Sequence, residues 1–429
     1  MKQAVKEILS EFQTEDIQDS FVRDVRVPLN SGKIISVIGP RRSGKSFLFF
    51  NLMKELLQKG VKKEQIVYLN FEDERLDQEV KELDTILQAY RELHPEIKLN
   101  QCYFFFDEIQ NINGWEKFVR RIYDSYTKNI FVTGSNARLL SSEIATALRG
   151  RTISFEVLPL SFKEYLRFTD IDFLKQDPTS KAKINKHFKN YLVQGGFPEL
   201  LHIDDALKTR TLQEYFDVMI YRDLVQRHGF TNLPVVKYFL KRMASSTCSY
   251  LSLNKIYNEL RSQGYKLDKN LLYQVFEAAQ NSYLGLTLKK FDYSFVKQEN
   301  SDKKIYFIDN GFLNALTFKF SKDYGRLLEN LVYLELRRRE YKIFYYRNGK
   351  ECDFLIQEKD ETPTAIQVCY DLKDKDTADR EISSLIYTCK KLKLKKALII
   401  SMDELPEKKV KGIKIKFIPI VSFLLEVQK

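Results

Sequence analysis

The run from Lys33 to Leu57 constrains this chain more than any other stretch. Ile34, Ile35, Val37 and Ile38 make a short β-branched segment, the pattern of a buried parallel strand. Gly39-Pro-Arg-Arg-Ser-Gly44-Lys45-Ser46 follows and fits G-x-x-x-x-G-K-S/T. Phe47, Leu48, Phe49, Leu52, Leu56 and Leu57 then recur at helical spacing. The pattern thus sits between a strand and a helix, the context a P-loop needs. Its residue types follow from anion binding. Glycines let successive backbone N–H groups curl round a phosphate with no Cβ in the way. The new helix adds the positive end of its dipole. Gly39, Pro40, Arg41, Arg42, Ser43, Gly44, Lys45, Ser46 and Phe47 are the expected ATP-binding residues. Lys45 is placed to reach the β and γ phosphates, and the Ser46 hydroxyl to take one Mg²⁺ position.

A carboxylate strand completes the pattern. Cys102-Tyr-Phe-Phe-Phe-Asp-Glu108 is an apolar strand ending in two acids, about sixty residues after the P-loop. Asp107 is the expected second Mg²⁺ contact, and Glu108, one residue on, the expected base for an attacking water. Asn129-Ile-Phe-Val-Thr-Gly-Ser135-Asn136 is a further buried strand. Ser135 or Asn136 at its end would sense the γ-phosphate or orient the water, or simply cap a turn. Arg149 or Arg151, ahead of the strand Thr152–Leu158, would steady charge on the transferring phosphoryl group, in cis or from a neighbouring subunit. Gln65–Phe71 reads as another strand, ending in Glu72-Asp73-Glu74. Val5–Phe12, Leu76–Leu93 and Trp115–Tyr126 read as helices. Gly195, Gly196 and Pro198 would let a turn approach the nucleotide closely, or else end a helix.

Composition narrows the class. With 429 residues, 44% hydrophobic and 30% charged, the chain has core material for two or three domains. Its five cysteines form no C-x-x-C pair, and its four histidines are scattered. That argues against a structural zinc and for a reducing compartment, so the expected location is cytoplasmic. Met1–Asp19 lacks the pattern of a secretory leader, and no apolar run approaches the ~18 residues of a membrane span. A net charge of +12 permits nucleic-acid binding without demanding it.

These motifs together resemble the archaeal-type and bacterial AAA/STAND P-loop ATPases that carry a C-terminal domain related to restriction-type nucleases. The resemblance rests on the P-loop, Tyr-Leu-Asn-Phe-Glu-Asp, Phe-Phe-Asp-Glu-Ile-Gln, Thr-Gly-Ser-Asn, Leu-Arg-Gly-Arg and Gly-Gly-Phe-Pro. It continues through Tyr221-Arg222-Asp223-Leu224, Gly325-Arg326-Leu-Leu-Glu329-Asn330 and Glu351-Cys-Asp353-Phe, and so covers nearly the whole chain. It implies ATP binding and a winged-helix middle. It implies no particular physiological client.

The later residues support that division on their own pattern. Val235–Met243, Leu253–Leu260 and Asp268–Leu284 read as three helices, with Leu286–Lys290 and Lys304–Ile308 as wing strands. Between Asn232 and Asn300 ten Lys/Arg face five Asp/Glu. Lys266, Lys269, Tyr273, Lys289 and Lys290 are candidates for contacts to double-stranded DNA, unless the domain serves only for packing. Gly325–Glu340 is an amphipathic helix; strands at Tyr341–Tyr346, Cys352–Gln357 and Thr364–Tyr370, a helix at Asp379–Leu392 and strands at Ala397–Ser401 and Ile413–Ile418 follow. That order is the core of the restriction-nuclease fold, which needs an acid on the helix, an Asp, then Glu-x-Lys. Glu329 and Asp353 take the first two places, but the third reads Gln367-Val-Cys369. An amide replaces the carboxylate and no lysine remains, so the site reads as degenerate and an active nuclease as disfavoured.

The expected architecture is α/β: a P-loop ATPase core over 1–160, a helical lid over 161–231, a winged helix over 232–318 and a degenerate nuclease-like domain over 319–429. The expected activity is hydrolysis of MgATP driving a conformational switch, with duplex DNA, a protein partner or a second copy of the chain as candidate partners. The alternatives are a nucleotide-gated interaction module with little turnover, and an ATP-dependent nuclease.

Overall fold

A computed structural model of the chain describes residues 2–76, 83–136, 148–175, 177–317, 323–357 and 362–426. They fall into two compact units, Met1–Leu158 and Pro159–Lys429.

The first unit is built on five parallel strands: β1 (Ile34–Ile38), β2 (Ile66–Asn70), β3 (Tyr103–Asp107), β4 (Ile130–Gly134) and β5 (Thr152–Glu156). Their order across the sheet is β2-β3-β4-β1-β5. Alternation along the strands sorts the core into two layers. Phe104, Phe106, Val67, Leu69, Ile130 and Val132 face one side, where they meet α1 (Lys2–Thr14). Phe105, Phe131, Ile35 and Val37 face the other, against Leu48, Phe49, Leu52 and Leu56 of α2 (Lys45–Gln58). α3 (Asp84–Leu93) and α4 (Trp115–Ser125) join α1 on the first side. A sheet covered on both faces buries its strands at every position, which is why β1 and β4 are apolar but for Ser36, Thr133 and the closing Gly134. The helix expected from Leu76 begins at Asp84; residues 77–82 lie outside those described.

The second unit opens with helices α5 (Phe162–Phe168), α6 (Pro178–Gln194) and α7 (Asp205–Val218), the last running into a π-helical stretch, Met219–Gln226. Gly195 caps α6 with φ 79°. The Gly195-Gly196 pair is tied to Asp309, whose carboxylate accepts Gly196 N–H at 2.7 Å and Gly311 N–H at 2.7 Å. A Cβ at Gly195 would strike that carboxylate. The glycines therefore end a helix and admit a buried acid.

Next come α8 (Leu233–Ser245), α9 (Leu253–Ser262), α10 (Lys269–Asn281), α11 (Phe295–Asn300) and α12 (Asn310–Leu316). They accompany an antiparallel sheet of β6 (Ser249–Tyr250), β7 (Leu286–Leu288) and β8 (Lys304–Tyr306), in the order β6-β8-β7. The unit ends with α13 (Tyr324–Arg338), β9 (Lys342–Asn348), β10 (Lys350–Gln357), β11 (Thr364–Cys369), α14 (Lys375–Leu392), β12 (Lys396–Ser401), β13 (Lys408–Val410), β14 (Ile413–Pro419) and α15 (Ile420–Leu425). These strands form one mixed sheet, β13-β14-β12-β11-β10-β9. The expected boundary at 318/319 falls among residues 318–322, outside those described. Among the described residues no helix is long and apolar enough to cross a membrane.

Candidate nucleotide site

The P-loop joins the C-terminal end of β1 to the first turn of α2. Gly44, with φ 93°, turns the chain into the helix. At Gly39 an added Cβ would collide with the Val157 carbonyl, so only glycine fits between these two backbones. Arg23 braces the loop from outside: its guanidinium donates to Ser43 O at 2.6 Å and Leu158 O at 2.8 Å. Within the loop the Ser43 hydroxyl is buried with no partner.

Lys45 is 3% exposed and donates to Pro40 O at 3.0 Å. It also pairs with Glu108 Oε1 at 3.1 Å. This brings together the lysine expected to meet phosphate and the acid expected to accept a proton. Burial pushes the Glu108 carboxyl up. The Lys45 ammonium, with Arg41 and the Gln110 amide behind it, outweighs that and holds it down at about 2. Glu108 is thus ionised at neutral pH. Gln110 Nε2 donates to Glu108 Oε2 at 2.6 Å and to Ser135 Oγ at 3.3 Å, while its own Oε1 is buried without a partner. Arg41 is held by Glu72 at the end of β2.

Asp107 is fully buried. Ser46 and Thr133 bond its carboxylate, and Tyr68 O–H donates to Oδ2 at 3.1 Å. Burial and the neighbouring Glu108 charge raise its pKa against those bonds and Lys45. These residues fit MgATP: a first helical turn of donors, a buried unpaired hydroxyl, and a serine–aspartate pair of hard oxygen ligands.

The other expected residues separate into two groups. β4 lies between β3 and β1, and Gly39 N–H bonds Gly134 O at 3.3 Å, so Ser135 and Asn136 follow a strand end beside the P-loop. Arg149 and Arg151 do not. Thr152 pairs with Ile34 at the start of the parallel β1, which puts both arginines at the opposite edge of the sheet. The five residues of β1 separate them from the loop by about 16 Å. Arg151 is instead tied to Asp124 at 2.9 Å. A role for either arginine on a phosphate bound to its own chain is therefore excluded by the sheet register.

The C-terminal acids also differ from expectation, because a lysine does stand among them. Lys304, from β8, is 1% exposed. Its ammonium lies 3.2 Å from Glu329 Oε1, 2.6 Å from Glu351 Oε1 and 3.4 Å from Asp353 Oδ1. Tyr306 O–H donates to Glu329 at 2.7 Å, Tyr250 O–H to Glu351 at 2.6 Å, and Val368 N–H to Asp353 at 3.0 Å. Three carboxylates share one cation; burial and the Glu329 charge push the Asp353 carboxyl up, against Lys304 and the Val368 N–H. Gln367 instead donates to Glu381 at 2.6 Å. Among the DNA candidates, Lys289 is paired with Glu299 at 2.5 Å and Tyr273 is exposed.

Sequence reasoning missed Arg23, Tyr68, Thr133, Gln110 and Lys304. A polar residue inside the apolar run Ile-Phe-Val-Thr was the available signal for Thr133, and Gln110 lay two residues past Glu108. Arg23 sits in an unpatterned stretch, and Lys304 opens a strand read as part of the wing; neither position signalled its role.

Known proteins place the chain as follows. Residues 31–166 match the AAA domain; residues 185–323 and 324–423 match two domains of unknown function. An uncharacterized protein of Methanocaldococcus jannaschii is 39% identical over 380 residues, covering 87% of this chain and 82% of its own length. An uncharacterized protein of Haemophilus influenzae is 32% identical over 343 residues, covering 80% of this chain and 83% of its own. The chain belongs to one family with these two uncharacterized proteins. AMPPCP-bound DnaA from Aquifex aeolicus overlaps 65% of this chain and 86% of its own, at 13% identity and a TM-score of 0.24. That overlap is too loose to align side chains. The match over residues 31–166 makes that part of the chain a P-loop AAA domain.

Proposed function

We propose that the protein hydrolyses MgATP and uses the bound nucleotide as a conformational switch. The buried Lys45–Glu108 ion pair carries this reading. Ser46 and Asp107 would hold Mg²⁺, which would neutralise phosphate charge. Lys45 exchanges the Glu108 carboxylate for phosphate oxygens as nucleotide binds. Glu108, freed from its cation, becomes more basic and accepts the proton of a water. Gln110 steadies Glu108 through Nε2 and offers Oε1 to the same water. Before nucleotide arrives, base and phosphate lysine neutralise each other, so the site is switched by its own ligand.

The finer divisions belong to the same proposal: a core over 1–160, a lid over 161–231, a winged helix over 232–318 associated with nucleic acid, and a nuclease-like scaffold over 319–429. Asn136 is the candidate γ-phosphate sensor, and Arg149 or Arg151 would serve only a neighbouring subunit. A cytoplasmic location accords with the unpaired cysteines. An ATP-dependent nuclease is disfavoured because Gln367, which bonds Glu381, stands where the third carboxylate is needed. The test is multiple-turnover phosphate release. Lys45→Ala should lose tight MgATP binding, and Glu108→Gln should bind MgATP yet turn over about 10²–10⁴-fold more slowly. Binding without turnover in the wild type would leave a nucleotide-gated interaction module instead.

A further inference from the structure

A cavity of about 180 Å³ opens in the second unit where α8, β6, α9 and α13 meet. Arg242, Lys255, Arg326, Ser249, Ser252 and Tyr250 line it, and no acid does. The donors are not exhausted. Arg242 spends Nε and Nη2 on Glu259, at 2.8 and 3.0 Å, and Arg326 spends Nε on Asp323 at 3.1 Å and Nη1 on Ser245 O at 3.3 Å. Each guanidinium keeps a nitrogen for another partner. Ser252 Oγ accepts Lys255 N–H at 3.3 Å as the N-cap of α9, which leaves its own proton to donate. Lys255 is exposed and makes no ion pair among the described residues. The wall thus offers the unpaired Lys255 ammonium, remaining N–H groups of two arginines already paired with Glu259 and Asp323, and two hydroxyls in a concave site at the start of a ten-residue helix.

Such a wall selects an anion. The volume selects its size: pockets for whole small molecules begin near roughly 300 Å³, so this one takes a single phosphate group. A group that small is held tightly only as part of something larger. The surrounding segment names the larger thing, since α9 and α10 are consecutive helices in a stretch with ten Lys/Arg against five Asp/Glu. In helix-turn-helix proteins an early helix crosses the backbone while the next enters the groove. We infer that this cavity is a seat for one backbone phosphate of duplex nucleic acid. This deepens the nucleic-acid part of the function proposed above and rests on it. It also moves the main contact away from Lys289, whose charge Glu299 neutralises.

The experiment is fluorescence anisotropy of the full chain with a short labelled duplex across a salt series. Lys255→Gln should weaken binding to unrelated sequences alike and reduce the slope of log K against log salt by about one, as for one lost phosphate contact. Lys255→Arg should restore it. MgATP turnover should stay at the wild-type rate in both, so a failure of ATP hydrolysis and a failure of the phosphate seat are read separately. No duplex binding at low salt overturns the inference, as does a Lys255→Gln curve that overlays the wild type. So does competition by a phosphoserine peptide in a protein that binds no duplex, since that would assign the cavity to another macromolecule.

Discussion

Replacing Lys304 with methionine tests the buried cluster most directly. Methionine keeps the length of the stem and removes only the ammonium. Three carboxylates that now lie 2.6 to 3.4 Å from that ammonium would be left facing one another, Asp353 buried and Glu329 and Glu351 partly exposed. Breaking a buried pair by deleting one partner costs about 3–5 kcal/mol, a large part of the roughly 5–15 kcal/mol that holds a domain folded. The sign with pH follows. Without the cation, whose charge lowers both, the folded-state pKa values of Glu351 and Asp353 rise. Stability is then fullest where the acids are protonated in both states and is lost as pH rises through the folded values. The gap between wild type and Lys304→Met should be small near pH 4 and widest above neutrality. Urea unfolding followed by circular dichroism at a series of pH values measures it. The single tryptophan, Trp115, sits in the core of the first unit, and its fluorescence transition is expected not to move. A loss under about 1 kcal/mol at neutral pH, or a loss of equal size at every pH, would refute the reasoning.

Three further outcomes are expected. Gln110→Ala frees Glu108 Oε2 and removes the unpaired Oε1, so phosphate release should slow by about tenfold or more while MgATP affinity holds, read as kcat against Kd. Burial raises Asp309, opposed by the amides of Gly196 and Gly311, to about 6. Its contribution to stability is present below the unfolded value of 3.8 and is lost as pH rises through 6; this is worth roughly 3 kcal/mol, and the slope should vanish in Asp309→Asn. Purified protein should not nick plasmid DNA with Mg²⁺, with or without ATP; nicking that disappears in a folded Asp353→Ala variant would revive a nuclease.

What the sequence disclosed was whatever recurs with a period or a fixed spacing. The strands of the first unit were legible because both faces are buried, so Phe104, Phe105 and Phe106 had to be apolar together. The P-loop and Asp107-Glu108 were legible because phosphate chemistry ties particular residue types to particular offsets. Arg149 and Arg151 misled, because proximity in the chain says nothing about which edge of a sheet a loop occupies. Only the register of β5 against β1 decides that. Lys304 was invisible for the related reason that its partners lie 25, 47 and 49 residues further on, on α13 and β10. A nuclease pattern is written along one helix and two strands; a lysine arriving from a different sheet breaks no rule that a linear reading can apply.

The two buried ion clusters are built alike and behave oppositely. In each, one buried lysine faces carboxylates: Lys45 with Glu108 and Asp107, Lys304 with buried Asp353 and the partly exposed Glu329 and Glu351. At the P-loop the lysine has a competitor to meet, because the neighbouring loop and helix turn form an anion cradle with an unpaired Ser43 hydroxyl. In the proposed function an arriving phosphate would exchange one partner of Lys45 for another. Around Lys304 the remaining groups are already acceptors or are already bonded, through Tyr306, Tyr250 and Val368. An anion there would meet three carboxylates, and a metal ion would have to displace an ammonium that cannot diffuse away. In the function proposed above the first pair would be a gate that its ligand opens; the second is a clamp fastening β8 to α13 and β10.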